Sequence, residues 1–263
     1  MVSTQSLSAS KLKTYARLKD KKFRNREGIF LIEGQRAVSQ VLTHGILNVV
    51  SVIRTTGSII PPEMFTFIPP EIPIYEASTS DFKLISDTET AQGIACVANI
   101  PSPLNIKDLQ TNLQKPLLAL DAISDPGNLG TLYRTASWFG FGGIILGDGT
   151  ADLFNPKVVR SSAGAVGSLP YVAGNLSHII NDLKEEGWEA VALDVNEKAT
   201  SLYSFKPKPK TVLIIGNEAH GISEEVKSLC TSVYIPGNPE YVESLNASVA
   251  ASVAMSHIHN MLM

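Results

Sequence analysis

Along the chain, apolar runs of strand length alternate with stretches whose apolar positions recur every three or four residues. That alternation predicts an α/β protein. Over residues 8–100, KLKTYARLKD reads as a helix, GIFLIEG as a strand and QRAVSQVLTHG as a helix ending at Gly45, because glycine takes the left-handed turn that closes helices. ILNVVSVIRT follows as a strand, PPEMFTF as a Pro-led connection, IPIYEA as a strand, STSDFKLISD as a helix and GIACVANI as a strand. Residues 101–115, PSPLNIKDLQTNLQK, are polar with prolines at the front and read as a linker. The pattern therefore predicts a domain over 1–100, a linker over 101–115 and a second domain over 116–263.

In the second domain PLLALDAI, GGIILG, SLPYVAG, WEAVALDV, TVLIIG and SVYIP read as strands, with helices near 129–139, 155–163, 176–186, 222–230 and 246–262. These strands are continuously apolar rather than alternating, which predicts a parallel sheet covered on both faces. On pattern alone the sheet would be an ordinary doubly wound one.

Composition narrows the class. With 44% hydrophobic and 18% charged residues, the chain is that of a folded globular protein. No run is apolar and long enough for a bilayer, and MVSTQSLSASKLK lacks the core of a signal peptide, so a cytoplasmic protein without a membrane role is expected. Cys96 and Cys230 sit in apolar surroundings without metal-ligand spacing, which predicts buried thiols in a reducing setting and no metal.

The net charge of −3 hides an asymmetry. Lys11, Lys13, Arg17, Lys19, Lys21, Lys22, Arg24 and Arg26 are opposed within their stretch only by Asp20, and the remainder is acidic. Such a patch reads as a docking surface for a polyanion, although a solvated amphipathic helix would carry the same charges. Tyr15 and Phe23 lie among the cations as stacking surfaces for bases or as anchors into a core.

Chemistry concentrates in DPGNLGTLYRTASWFG (125–140), IIGNEAHGIS (214–223) and IPGNPEYVESLNASVAAS (235–252). Each joins an apolar run to a loop rich in Gly, Asn and Ser and then to a helix, a junction that places polar groups at the carboxyl edge of a sheet. TVLIIGNEAHGIS has nearly the glycine spacing of a nucleotide P-loop, but Ile222 stands where lysine is required and Glu218 would repel phosphate. The glycines of FGFGGIILGDG flank a strand, so the dinucleotide fingerprint fails, and no Gly-x-Ser-x-Gly elbow occurs. Of the five histidines only His220 falls in a motif, as a loop residue. Asn128 and Asn246 each open a helix, so the residues themselves leave capping and ligand contact equally open. Arg134 reads as an exposed or ion-paired residue, or as one that grips a phosphate or a hydroxyl. Gly216, Ile235 and Leu245 flank loops whose backbone and apolar side chains could hold a purine-like ligand.

The three segments, in this order and spacing, resemble the SpoU-type RNA 2′-O-ribose methyltransferases of the SPOUT superfamily. Asp121 onward is similar to the first family motif, LIIGNEAHGIS to the second and IP…ESLNASVA to the third. RLKDKKFRNREGIFLIEGQRAVSQVL is similar to the substrate-binding domain, L30e-like in fold, that precedes the catalytic domain in many members. The resemblance implies a SPOUT-type parallel sheet with a deep trefoil knot, a homodimer, and S-adenosylmethionine as cofactor. It implies an RNA substrate, with rRNA favoured over tRNA; an inactive RNA-binding protein of the same fold is the contrary reading. By the same resemblance Arg134 activates the ribose hydroxyl, Asn128, Glu218, Ser244 and Asn246 position it, and backbone at Gly216, Ile235 and Leu245 holds the cofactor. An arginine normally stays charged, so physics favours an electrostatic role for Arg134 over that of a base. The chain departs from the family at GNPEYV, which makes the stretch before Glu243 about one residue longer than the common spacing.

Overall fold

In the N-terminal half most elements follow the apolar pattern; a polar edge strand at Thr4–Ser6 and a helix break at Asp20 depart from it. The computed structural model describes residues 4–263 except 59, 60, 62, 63, 65, 111–113, 197, 239 and 243. Parts of PPEMFTF and GNPEYV, and Glu243, therefore lie outside the described residues. The chain forms two units, one running to Pro101 with Asp152–Gly167 added, the other comprising Ser102–Ala151 and Ser168–Met263.

The first unit contains β1 (Thr4–Ser6), α1 (Ala9–Ala16), a 3-10 turn (Arg17–Lys19), α2 (Lys21–Glu27), β2 (Ile29–Glu33), α3 (Gln35–His44), β3 (Val49–Thr55), β4 (Ile74–Ala77), α4 (Thr79–Ile85) and β5 (Ile94–Asn99). Its sheet has the order β1-β4-β3-β5-β2, parallel through β1, β4 and β3, with β5 antiparallel to both neighbours. The basic helix breaks at Asp20, which takes extended backbone and accepts the N–H of Lys22 through its carboxylate, capping α2. Gly45 closes α3 in the left-handed conformation, as its position predicts. Tyr15, Leu18, Phe82 and Ile85 pack on the sheet with Leu31, Ile53 and Val97. Tyr15 is thus a core anchor, its hydroxyl 3.1 Å from Ser51 Oγ.

Residues 152–167, which sequence order assigns to the second domain, belong to this unit. They include the short helix Pro156–Ser161, α7 in chain order. Asp152 pairs with Arg24, Phe154 packs its ring 4.9 Å from that of Phe30, and Arg160 bonds Asp87 at 2.7 Å.

The second unit contains α5 (Ile106–Gln110), β6 (Leu117–Asp121), α6 (Pro126–Trp138), β7 (Gly143–Gly147), β8 (Tyr171–Gly174), α8 (Leu176–Glu185), β9 (Glu189–Leu193), β10 (Thr200–Ser201), β11 (Thr211–Gly216), α9 (Glu224–Lys227), β12 (Thr231–Tyr234) and α10 (Ala247–Leu262). Its sheet has the order β10-β12-β9-β11-β6-β7-β8, parallel at every pairing. Within the stretch read as a linker lies α5, whose Ile106 and Leu109 are buried in the core of this unit, so residues 106–110 are packed structure.

Alternation along β6 sends Leu117 and Ala119 to a layer shared with Ile179, Ile180 and Leu183 of α8. Leu118 and Leu120 face the opposite layer, where Leu132 and Ala136 of α6 and Ala251, Ala254 and Met255 of α10 are buried. α6 and α10 run side by side in one direction: Asn246 meets Asn128 at their starts, and His259 Nδ1 lies 3.0 Å from Phe139 O at their ends. No helix among the described residues is long and apolar enough to cross a membrane. Burial pushes the Cys96 thiol up to about 12 and that of Cys230 to about 11, so both stay protonated, unpaired thiols.

Candidate active site

From β6 the chain steps outward to β7 and β8, whereas β11 enters on the other side of β6. The loops leaving β6 and β11 therefore diverge, which opens a crevice at the carboxyl edge where ligands bind in open α/β sheets. Asp121 ends β6 directly opposite Gly216, the last residue of β11.

Side-chain bonds tie the two loops together. Asp121 Oδ2 accepts from Ser223 N and Oγ at 2.7 and 2.8 Å. Asn217 Nδ2 donates to Ala122 O at 2.8 Å, while its Oδ1 accepts the N–H groups of Ala219 and His220 at 2.9 and 3.2 Å. Ala122 is held at φ 56, a left-handed conformation that costs a non-glycine residue roughly 1–2 kcal/mol. Between Asn217 and Gly221 the second loop closes by paired backbone bonds of 3.0 and 2.9 Å. A Cβ on Gly216 would lie 2.3 Å from Gly221 C and from Ile222 N, so no side chain fits there.

All three motifs meet at Asn128. Its Nδ2 donates to Glu218 Oε1 at 2.6 Å, and its Oδ1 accepts from Asn246 Nδ2 at 3.2 Å. Asn128 is spared from capping because Asp125 accepts its backbone N–H at 2.8 Å and caps α6, with Pro126 at the first helical position. Asn246 performs both duties that its sequence leaves open. Its Oδ1 caps α10 by accepting from Ser248 N and Val249 N at 3.0 and 3.3 Å, and its Nδ2 reaches Asn128.

Arg134 on α6 is exposed, and among the described residues no carboxylate pairs with it. Ser244 and Leu245 are exposed at the entry to α10, and Ile235 is half-buried just beyond β12. These four stand outside the Asn128–Glu218–Asn246 network. His220 is a loop residue with Nδ1 3.3 Å from Asn217 Oδ1. Sequence reading passed over Asp121, Asn217 and Ser223 as site-builders. Their signal was the placement of small polar residues immediately after two apolar strand runs.

In the first unit the eight predicted RNA-contacting cations separate. Arg24 is corrected: it is 1% exposed, ion-paired with Asp152, and donates to Leu18 O and Lys19 O at 2.7 and 2.9 Å, so it serves the core and cannot reach a phosphate. Lys11 lies 5.0 Å from the centre of the Tyr75 ring, and hydrogen bonding to Tyr75 raises its pKa above the ordinary lysine range. Lys13, Arg17, Lys19, Lys21, Lys22 and Arg26 are exposed.

Residues 115–256 match the SpoU rRNA Methylase family, and residues 9–96 match the MRM3-like substrate binding domain. The chain belongs to the SpoU rRNA Methylase family. It is 34% identical to the Bacillus subtilis (strain 168) 23S rRNA (guanosine(2553)-2'-O)-methyltransferase RlmP, over 98% of this chain and 99% of that protein. It is 28% identical to the mitochondrial rRNA methyltransferase 3 of Xenopus tropicalis, over 94% of this chain and 72% of that protein. The crystal structure of an AdoMet-bound rRNA methyltransferase from Sinorhizobium meliloti superimposes with a TM-score of 0.85, at 25% identity, covering 99% of this chain and 98% of the other.

Proposed function

We propose that this protein methylates the 2′-hydroxyl of a guanosine ribose in 23S rRNA, using S-adenosylmethionine. The observation that carries the reading is the convergence of three motif loops on Asn128 at the carboxyl edge of the sheet. The likeness to the Bacillus subtilis enzyme across nearly the whole of both chains supports the substrate.

Gly216, Ile235 and Leu245 are the residues to hold the cofactor. Their chemistry fits a purine: Gly216 ends its strand in the crevice, while half-buried Ile235 and 48% exposed Leu245 offer apolar surface beside loop backbone. When bound, S-adenosylmethionine supplies a methyl group made electrophilic by its positive sulfur. A ribose hydroxyl is a weak nucleophile, so the protein must place O2′ in line and favour its developing negative charge. Arg134, exposed and without an acidic partner among the described residues, supplies that positive charge to the oxygen or to the adjacent phosphate. Asn128, Glu218, Ser244 and Asn246 orient the ribose, and the amide of Asn128 is itself held at both ends.

A homodimer, a trefoil-knotted C-terminal segment and a cytoplasmic setting belong to the same reading. Exposed Trp138, Val249 and Met261 on α6 and α10 support the dimer. The return of Asn246 to the start of α6 supports the threading, and the unpaired thiols support the reducing setting.

Mapping of 2′-O-methyl groups in total RNA, with and without this protein, tests the reaction. One guanosine of 23S rRNA should lose its mark, whereas unchanged 23S rRNA, or a change confined to tRNA, would overturn the assignment. Arg134→Lys should slow methyl transfer roughly a hundredfold while cofactor binding by calorimetry persists. Near-intact transfer would remove Arg134 from the centre of the mechanism.

A further inference from the structure

On α1, the turn after it and α2, two arginines close around a single aromatic ring and a lysine lines the same cleft. The guanidinium carbons of Arg17 and Arg26 lie 4.9 and 4.8 Å from the centre of the half-buried Phe23 ring. Lys13, one helical turn before Arg17, lines the same cleft of about 100 Å³ with Thr14 and Glu27. Among the described residues no carboxylate pairs with Lys13 or Arg17. Arg26 shares its charge with Glu27, which takes Nε at 2.9 Å and Nη2 at 2.6 Å and leaves Nη1 for another acceptor. The cleft therefore keeps a net positive charge after its one acid is counted.

Two features decide what it accepts. The ring of Phe23 is occupied by guanidinium groups, so it is no open platform for stacking a base. It acts instead as a template that holds two arginine heads near each other, lowering the side-chain entropy lost when they bind an anion. The cleft has room for a group the size of a phosphate and lacks the flat apolar walls a nucleobase needs.

We propose that Lys13, Arg17 and Arg26 form one subsite that grips a single backbone phosphate of the substrate RNA without reading its sequence. This rests on the RNA-methylation reading and deepens it, selecting three of the eight cations of the basic stretch. Lys19, Lys21 and Lys22 contribute only to the surrounding field.

The test is binding of the full-length protein to an unmodified 23S rRNA transcript across a range of KCl concentrations. Each phosphate contact adds a little under one unit to the slope of log affinity against log salt. Arg17→Gln should flatten the slope by up to about one unit, and Arg17→Gln with Arg26→Gln together should flatten it by no more than about one unit in all, since both arginines serve one phosphate. A transcript of equal length and scrambled sequence should show the same loss of slope. Lys83→Gln, an equal change of charge on α4, controls for the overall field and should leave the slope in place. Circular dichroism confirms that the variants fold, and Arg17→Lys should restore the slope because it restores the charge. A wild-type slope in Arg17→Gln would overturn the subsite while leaving the methylation reading intact. A second full unit lost in the double variant would overturn the single-phosphate claim. Absence of binding by the wild-type protein would overturn the parent reading and the subsite together.

Discussion

Asn128 shows how one amide can join three distant pieces of chain. A carboxamide has a donor end and an acceptor end, and here Glu218 takes the first and Asn246 the second. Aspartate lacks the donor, serine is too short to span both partners, and only an amide satisfies the pair at once. Both bonds are exposed, so their net worth to stability is about 1 kcal/mol or less each. Their value lies in placement, where an error of about 1 Å can cost roughly a hundredfold in rate. Asn128→Ala should therefore lower kcat on 23S rRNA roughly a hundredfold while the urea midpoint hardly moves. A large fall in the midpoint with proportionate loss of activity would assign Asn128 to the fold. Gly216 illustrates the opposite division of labour, since the 2.3 Å approach of Gly221 to its missing Cβ makes it a condition of the turn itself.

At the scale of elements, the least legible contact is the one between Arg24 on α2 and Asp152 before α7. Arg24 is buried among core residues, and its charge is answered by a carboxylate 128 positions away. Removing one member of such a pair leaves a buried charge uncompensated, at a cost of about 3–5 kcal/mol. Asp152→Asn keeps the shape and removes the charge, so the loss on urea unfolding should sit near the lower end, about 3 kcal/mol, because two carbonyls still accept from Arg24. Arg24→Met in the Asp152→Asn background should recover part of that loss. A single substitution that costs nothing would show that the carbonyls alone satisfy the guanidinium. Runs such as IFLIE, LLALD and TVLIIG were legible because burial on both faces demands continuous apolar residues. The break at Asp20 was not, since the helical period continues across it. α5 escaped notice because Ile106 and Leu109 are its only deeply buried apolar anchors. The edge strands β1 and β10 are three and two polar residues held by pairing alone. That residues 152–167 group with the first unit was not legible, because sequence order carries no sign of which core a segment joins. The site divides in the same way: Asn128, Glu218 and Asn246 stood in recognisable motifs, whereas only the folded chain could sort Arg24 from its seven basic neighbours.

At the scale of the whole molecule, the parallel course of α6 and α10 gives the proposed homodimer a physical basis. The inward sides of these helices are filled by Leu132, Ala136, Ala254 and Met255, yet Trp138 is 82% exposed, and Val249 and Met261 are also open to solvent. A tryptophan offers roughly 150–250 Å² of apolar surface, and covering it is worth about 4–6 kcal/mol at most at 25 cal/mol per Å². A net charge of −3 is too small to keep two copies apart. α6 also carries Asn128 and Arg134, so association over its outer side would restrain the helix that presents them. Trp138→Glu should thus convert a dimer at micromolar concentration into a monomer by analytical ultracentrifugation, with the thermal unfolding of the isolated chain little changed because the residue contributes nothing to the inner core. Methyl transfer should fall with the dimer and recover as protein concentration rises, in proportion to the dimer fraction. A wild-type protein that sediments as a monomer at tens of micromolar would remove the homodimer from the reading. Full activity in a monomeric Trp138→Glu would leave each chain with a complete site of its own.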